Sequence, residues 1–376
     1  MVLSKEKRCA GFVLGGLLLS SSIGLGILQS KMSVPNDIRI SLTVGEPKNY
    51  FHPVDLTEAQ VNDYRRDGVL LVKQLIPRTE AMRLRQASDE MASKIFNIFD
   101  FFNSLYNKLV FDLWRTDETV ASLSLEALPS IAAQVMTAND DDSEQGDNSK
   151  IRILRDAFFK SASGKKGCGW HIDDPSFWPT SNETSGLTIW IALDDILVRE
   201  GGGLAVANMS LAEALSGSST DPDVSLNACR TVIQVNGTCA MEDHSPKCND
   251  FFEQVKLEWD MEPGDAILWD RWTFHRGNPF SNSITEEGIE RFRYSVRYMP
   301  STSKAFGVIH PSVQQGSTFE GSPYYPQVYP TLLEDEMKAL EHGLDGDITI
   351  ASIIKVTGMV LTRKVKELFL QKKVSS

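Results

Sequence analysis

Two histidines and one aspartate have the residue types and spacing of a metal site. His171 and Asp173 are separated by one residue, and His275 follows much later in the chain. Residues i and i+2 of a β-strand point to the same face, so an extended segment would let His171 and Asp173 reach one ion. Two imidazoles and a carboxylate bind one face of a ferrous ion and leave positions open for a co-substrate and dioxygen. An H-x-D triplet arises easily by chance, so the surrounding sequence must show whether this one belongs to a metal site.

A strand rich in arginine follows the second histidine. The segment from 291 to 298 alternates, so one face would carry a polar set: Arg291, Arg293, Ser295 and Arg297. A guanidinium matches a carboxylate with two parallel hydrogen bonds. An arginine that faces inward needs a buried anion, and a bound dicarboxylate would supply one. Salt bridges on the rim of an edge strand would account for the others.

The flanking sequence places both histidines near turns. A glycine-rich turn over 164–169 precedes His171, and the Gly264-Asp265 turn feeds a buried strand with His275 near its far end. The remaining histidines lie in predicted loops or helix ends and are not expected to bind metal: His52, His244, His310 and His342.

The first part of the chain predicts helices and the middle predicts strands. A helix over 56–64 has Thr57 as its N-cap, a strand follows over 69–72, and helical patterns cover 79–107 and 117–137. From Ile151 onwards, short apolar runs alternate with turn residues, which is typical of an all-β sandwich or barrel. These runs predict strands at 151–159, 187–193, 204–206, 231–235, 255–259, 266–269 and 292–298. The acidic stretch 139–147 is interpreted as a solvated loop, and helix returns from about 331.

The N-terminus predicts a membrane or export segment. Three basic residues precede an uncharged stretch that begins at Cys9 and has an apolar centre, which favours a single-pass anchor over 9–28 with residues 1–8 in the cytoplasm. A cleaved signal peptide is the rival interpretation, and an organelle transit signal is a further one. With an anchor or a signal peptide, the rest of the chain would lie in the lumen or outside the cell. In such a compartment, two of Cys229, Cys239 and Cys248 could form a disulfide, although free thiols in a loop region are the preferred interpretation.

Composition restricts the partners. The net charge of −12 argues against a general nucleic-acid binder, because such proteins usually carry a basic face. We therefore expect a small-molecule substrate, no nucleic acid, contact with a membrane only through an uncleaved N-terminal segment, and a monomer or weak homo-oligomer.

The combined pattern resembles the phytanoyl-CoA dioxygenase family of non-haem iron, 2-oxoglutarate-dependent oxygenases. The resemblance runs from about Thr57 to Tyr298, and its blocks occur in order: 64–72, 169–174, 190–195, 200–206, 264–269, 275–277 and the strand from 291. It implies an α+β fold with a mainly β core, namely a double-stranded β-helix (a cupin-like jelly roll) flanked by helices. The implied domain covers 56–305, after a linker over 29–55 and before a C-terminal extension over 306–376 that ends in a helix.

The resemblance also implies the site and its chemistry. His171, Asp173 and His275 would hold Fe(II), and Arg291 would bind the C5 carboxylate of 2-oxoglutarate, with Arg293 as the second choice beside Ser295. Trp190 would line the co-substrate pocket or be a core aromatic residue. The expected reaction uses dioxygen, with ascorbate as an optional reductant, and hydroxylates a lipid-like or secondary-metabolite-like molecule with release of succinate and CO2. Desaturation or oxidative cyclisation is an alternative, as is a jelly-roll binding protein without catalysis.

Overall fold

The computed structural model describes residues 51–94, 106–136, 150–165, 167–173, 177–180, 185–219, 221, 223–236, 239, 241–281, 289–306, 313–332 and 336. Several predictions lie outside these residues: the anchor or signal over 9–28, the acidic stretch 139–147 and the terminal helix.

The described helices flank the β-rich region. The α-helices are α1 (Glu58–Asp67), α2 (Arg78–Lys94), α3 (Glu118–Ala121), α4 (Pro129–Met136), α5 (Met209–Ser218), α6 (Leu226–Asn236), α7 (Met241–His244) and α8 (Pro246–Gln254). A π-helical turn, Ser122–Ala127, joins α3 to α4. Short 3-10 helices occur at Leu113–Arg115 and Val198–Glu200. Thr57 caps α1 as predicted, because its side chain accepts a hydrogen bond from the Gln60 amide in a reciprocal capping box.

Ten described strands form two antiparallel sheets. They are β1 (Val69–Val72), β2 (Lys108–Phe111), β3 (Ile151–Ala162), β4 (Leu187–Ala192), β5 (Leu204–Ala207), β6 (Lys256–Leu257), β7 (Ala266–Asp270), β8 (His275–Gly277), β9 (Glu290–Pro300) and β10 (Gln327–Tyr329). The larger sheet has the order β1-β7-β4-β9-β3-β10, with β2 also paired to β3, and the smaller has the order β6-β5-β8. This arrangement is consistent with the predicted jelly roll of an oxygenase.

Alternation along β9 separates its two faces. Phe292, Tyr294, Val296 and Tyr298 pack into the apolar cluster formed with the helices. The intervening residues from Arg291 to Arg297 therefore point to the opposite face, as predicted. Trp190 of β4 lies across from Ser295 in register and shares that face.

One predicted strand is wrong. Residues 231–235 lie within helix α6, whose buried residues are Cys229 and Ile233. The β-branched residues of this run favour a strand locally. Burial at i and i+4, together with a disulfide from Cys229 to Cys248 of α8, instead stabilises a helix.

The segment after residue 305 contributes to the same structural unit. Strand β10 pairs with β3, and the buried Glu336 carboxylate lies 3.0 Å from the Arg152 guanidinium. The extension predicted from 306 thus supplies part of the large sheet.

One helical stretch, Glu118–Met136, is long and apolar enough by composition to cross a membrane. It is mostly buried, since 67% of its apolar window lies inside the protein, as is usual for a core helix.

Candidate metal centre

Three buried side chains converge at one point between the sheets. The potential ligand atoms of His171, Asp173 and His275 all lie within 4.8 Å of one another. Asp173 Oδ1 is 3.9 Å from His171 Nε2 and 3.5 Å from His275 Nε2. One ion placed among these atoms can contact all three, and the set of two nitrogens and one carboxylate oxygen suits Fe(II) with open positions. The structure therefore brings together the three residues predicted from the sequence.

Backbone hydrogen bonds orient both imidazoles. His171 Nδ1 is 2.6 Å from the Gly169 carbonyl oxygen, and His275 Nδ1 is 3.1 Å from the Thr273 carbonyl oxygen. A carbonyl only accepts, so each Nδ1 carries the proton and each Nε2 keeps its lone pair for a metal ion.

The Arg297 side chain orients the Asp173 carboxylate. Its Nε and Nη2 donate to Asp173 Oδ2 at 3.0 and 2.8 Å. The other oxygen, Oδ1, is the one that faces the histidines. The ion pair with Arg297 thus occupies Oδ2 of Asp173 and leaves Oδ1 to bind a metal ion.

Burial and charge set the protonation states. Burial lowers the pKa of His171 to about 3, with His275 acting in the same direction, so its imidazole is neutral near neutral pH. Burial opposes ionisation of Asp173, but the Arg297 guanidinium and the two histidines hold the pKa of this carboxyl below its usual range. A neutral imidazole and an ionised carboxylate are the forms that bind metal.

Contacts outside the ligand set join the two segments that carry it. The backbones of His171 and His275 exchange two hydrogen bonds of 2.9 Å. Their neighbours Trp170 and Arg276 both donate to Glu253 Oε1, each at 2.8 Å. The two ligand segments are therefore joined both by their own backbone hydrogen bonds and by side-chain hydrogen bonds to Glu253.

A glycine and a disulfide bring the first ligand segment close to the second. Gly167 has φ +70°, and a Cβ there would lie 2.8 Å from the Gly277 carbonyl oxygen, so a side chain would force the segments apart. Next to it, the Cys168 carbonyl accepts from the Gly277 amide, and Cys168 is bonded to Cys239. The sequence offered Cys239 but not Cys168 as a candidate for pairing. Its preferred interpretation of Cys229, Cys239 and Cys248 as free thiols is wrong, because all three are paired.

The two arginine candidates for a co-substrate carboxylate have different surroundings. Arg291 is partly exposed and lies 3.1 Å from the Glu200 carboxylate. Arg293 is 3% exposed, donates to Ser161 and lies 5.7 Å from the Trp190 ring, while its Nε has no hydrogen-bond partner. In the described part of the chain, no ion pair joins Arg293 to a carboxylate, and burial lowers its pKa to about 10. Of the two candidates, Arg293, the second choice from the sequence, is therefore the buried one without an ion pair among the described residues.

The predicted residues Ser295 and Trp190 are both buried. Ser295 accepts a hydrogen bond from Arg297 Nη1 at 3.3 Å. The Trp190 ring belongs to an inner apolar cluster and also lies beside Arg293, so it is a core aromatic residue that also borders the arginine.

Sequence reasoning missed an aromatic group with a further arginine on this face. Arg155, opposite Arg297 in register, has its guanidinium 5.0 Å from the Phe111 ring, and Phe111 is 5.5 Å from Phe177. Phe177 in turn lies 4.2 Å from the Arg297 guanidinium. The signal available in the sequence was an arginine, Arg155, among the apolar residues of the predicted strand at 151–159, which also contains Arg152 and Asp156.

Residues 64–208 match the family model "Phytanoyl-CoA dioxygenase (PhyH)". This match confirms the family resemblance and the class of enzyme predicted from the sequence, the Fe(II)- and 2-oxoglutarate-dependent oxygenases. No curated protein matches the chain.

Solved structures similar to this one support the fold. A non-haem alpha-ketoglutarate-dependent carbocyclase, SnoK from nogalamycin biosynthesis, has 18% identity over 74% of this chain and 99% of its own, with a TM-score of 0.53. The epimerase SnoN, solved with Fe3+, alpha-ketoglutarate and nogalamycin RO, has 18% identity over 72% of this chain and 98% of its own, with a TM-score of 0.51.

Proposed function

We propose that this protein hydroxylates a small organic molecule, with Fe(II) held by His171, Asp173 and His275 and with 2-oxoglutarate as co-substrate. The observation that carries the proposal is the convergence of three atoms, His171 Nε2, His275 Nε2 and Asp173 Oδ1, while the other polar atom of each side chain is hydrogen-bonded to a group outside the three. Iron with 2-oxoglutarate and dioxygen supplies oxidative decarboxylation to succinate and CO2, coupled to oxidation of a substrate C–H bond.

Arg293 is proposed to bind the far carboxylate of 2-oxoglutarate. Its guanidinium is buried on the face that carries Arg297 and therefore the metal ligands. A dicarboxylate would supply the missing anion and place its other end towards the metal site, and Ser161 and Trp190 would fix the fork in one orientation. Arg291 already has an anion in Glu200.

The variants Arg293→Met and Arg291→Met separate the two assignments. With metal-loaded protein, Arg293→Met should raise the Kd of 2-oxoglutarate by about 100-fold or more, because a bidentate charged contact is lost, whereas Arg291→Met should change it by less than about fivefold. Succinate formation without added substrate gives a second measurement. Equal losses of 2-oxoglutarate affinity in the two variants, or a larger loss in Arg291→Met, would contradict the assignment of the far carboxylate to Arg293.

Cyclisation is the alternative outcome that product analysis must cover. The protein with the similar fold SnoK is described as a carbocyclase, and hydroxylation, desaturation and ring formation all begin with removal of a substrate hydrogen. Mass spectrometry of the product distinguishes them, since hydroxylation adds one oxygen atom while desaturation and ring closure remove two hydrogens.

We also propose that the catalytic domain works in an oxidising compartment. Cys168–Cys239 and Cys229–Cys248 pair with Cα separations of 4.9 and 5.7 Å, and paired cysteines are typical of secreted or luminal proteins. The segment predicted at 9–28 would direct the chain there. Mass mapping of the purified protein without reductant should find both disulfides, and free thiols at all four positions would oppose this placement.

A further inference from the structure

The face of the sheet that carries the metal site has one guanidinium more than the co-substrate can neutralise. Arg297 is paired with Asp173. Arg293 and Arg155 are both buried, at 3% and 4% exposure, and neither has an ion pair with a carboxylate in the described residues. 2-Oxoglutarate has a single carboxylate away from the metal and can satisfy one of them.

Arg155 is the guanidinium left over. Its Nε and Nη1 are buried without hydrogen-bond partners. It lies across from Arg297 in register and is near enough for its charge to oppose that of Arg297. The guanidinium lies over the face of the Phe111 ring, 5.0 Å from its centroid, which offsets a small part of the cost of a buried charge.

Such an arrangement is costly unless a ligand completes it. A buried, unpaired charge destabilises a fold, and a like charge on the next strand adds to the cost. The Arg155 guanidinium lies over the Phe111 ring, and Phe177 continues the aromatic surface from Phe111 to Arg297. An anion with an apolar body would pair with the guanidinium and pack against these rings.

We infer that the primary substrate carries a carboxylate or a comparable anionic group, which Arg155 binds beside the metal centre. The inference rests on the proposed function, because it assigns the far carboxylate of 2-oxoglutarate to Arg293. Arg155 would then determine specificity and fix where the substrate sits relative to the three ligands, while Phe111 and Phe177 contact its apolar part.

Calorimetry on the full chain loaded with Mn(II) and 2-oxoglutarate tests the inference. The probes are benzoate and hexanoate, each compared with its neutral amide. Wild type should bind the carboxylates at least about tenfold more tightly than the amides. Arg155→Met should lose this preference while it keeps its affinity for 2-oxoglutarate, and Arg155→Lys should keep part of the preference. Arg293→Met should do the reverse, with weaker 2-oxoglutarate binding and an unchanged preference.

Thermal unfolding of the protein without ligands gives an independent measurement. Arg155→Met should raise Tm, because methionine removes an unpaired buried charge at similar length, whereas a purely structural arginine would lower Tm when it is replaced. Benzoate should raise the Tm of wild type and leave that of Arg155→Met unchanged.

Two results would overturn the inference. One is a carboxylate preference that is absent from wild type or survives in Arg155→Met. The other is a loss of 2-oxoglutarate affinity in Arg155→Met, which would make Arg155 the co-substrate anchor. Failure of the proposed function looks different, since wild type would then bind no 2-oxoglutarate in the presence of metal, and the change in Tm would still report whether Arg155 is kept for a ligand.

Discussion

The Asp173 carboxylate connects the metal site to the rest of the protein. Oδ1 faces the two histidines, while Oδ2 accepts two hydrogen bonds from Arg297. The arginine therefore limits the carboxylate to one orientation and favours its ionised form.

Replacing Arg297 by methionine should weaken metal binding and shift its pH dependence. Without the guanidinium, burial raises the pKa of Asp173 against less opposition. Since only the ionised carboxylate binds metal, the loss of binding on acidification should begin at a higher pH than in wild type. We expect about 10- to 100-fold weaker Mn(II) binding at neutral pH, in line with losses of groups that support metal ligands. Titration across the acid range measures both effects, and an unchanged pH midpoint would contradict the role of Arg297.

The ligand residues could be predicted from the sequence because their signal is local. An extended segment was expected to place His171 and Asp173 on one side. The described residues 167–173 form no regular strand, but a single β-bridge from His171 to His275 holds the segment, and a glycine turn and a buried strand precede His275. The arginine assignment could not be settled in this way. Arg291 and Arg293 share a face, and what distinguishes them is tertiary: Arg291 is partly exposed beside Glu200, whereas Arg293 is buried. Arg155 was missed because its significance depends on β3 lying beside β9.

At the scale of elements, the disulfide Cys168–Cys239 holds the first ligand segment against the second. Cys168 lies three positions before His171, and its carbonyl is bonded to the segment that follows His275. The other disulfide joins helices α6 and α8 within an apolar cluster that also packs against Trp170 and Ile172, on either side of His171. The first bridge is thus bonded directly to a segment that carries a ligand, whereas the second reaches that segment only through the packing of the helices.

Paired serine variants should separate these two effects. Replacing both Cys168 and Cys239 by serine should lower metal affinity about tenfold or more, because the His171 segment is then less confined, and should also lower stability by about 2–4 kcal/mol. Replacing Cys229 and Cys248 by serine should lower stability by a similar amount and leave metal affinity within about twofold of wild type. Mn(II) titration and urea unfolding provide the two measurements. Equal effects on metal affinity would contradict the distinction.

Element prediction succeeded where burial follows local pattern and failed where partners are distant. The predicted strands at 69–72, 187–193 and 266–269 are mostly apolar runs, and their bounds agree with those of the observed strands to within one residue. The β-branched run in α6 was assigned to a strand, since its partner in α8 and the disulfide between them are not visible locally. Strand β8, with only three residues, is defined by its pairing with β5.

At the scale of the whole molecule, Asp156 joins three parts of the fold. Its carboxylate accepts from the amides of Leu113 and Trp114 at 2.8 and 2.9 Å, and from the Tyr294 hydroxyl at 2.6 Å. Strand β3, the 3-10 turn and strand β9 thus meet at one fully buried acid. Burial raises the pKa of this carboxyl from 3.8 to about 7 despite the hydrogen bonds.

Asp156 should make stability fall as pH rises through a defined window. A folded-state pKa above the unfolded value means that the folded protein holds a proton that the unfolded chain releases, so stability from this group decreases between 3.8 and about 7. Asp156→Asn, which does not titrate, should cost about 1–3 kcal/mol from lost acceptors, and its deficit relative to wild type should shrink as pH rises through the window. Urea unfolding at several pH values measures this difference. A deficit that is constant or grows with pH would contradict the raised pKa.

Our central proposal is that His171, Asp173 and His275 hold iron in a site where 2-oxoglutarate can chelate it. The direct test is the weak visible absorption band that Fe(II) gives with 2-oxoglutarate when the protein is mixed with both in the absence of oxygen. We expect a saturable band in wild type, no band in His171→Ala or Asp173→Ala, and a band in His52→Ala, whose histidine lies away from the site beside Glu80. A band of the same intensity in the two ligand variants, or none in wild type, would contradict the proposal.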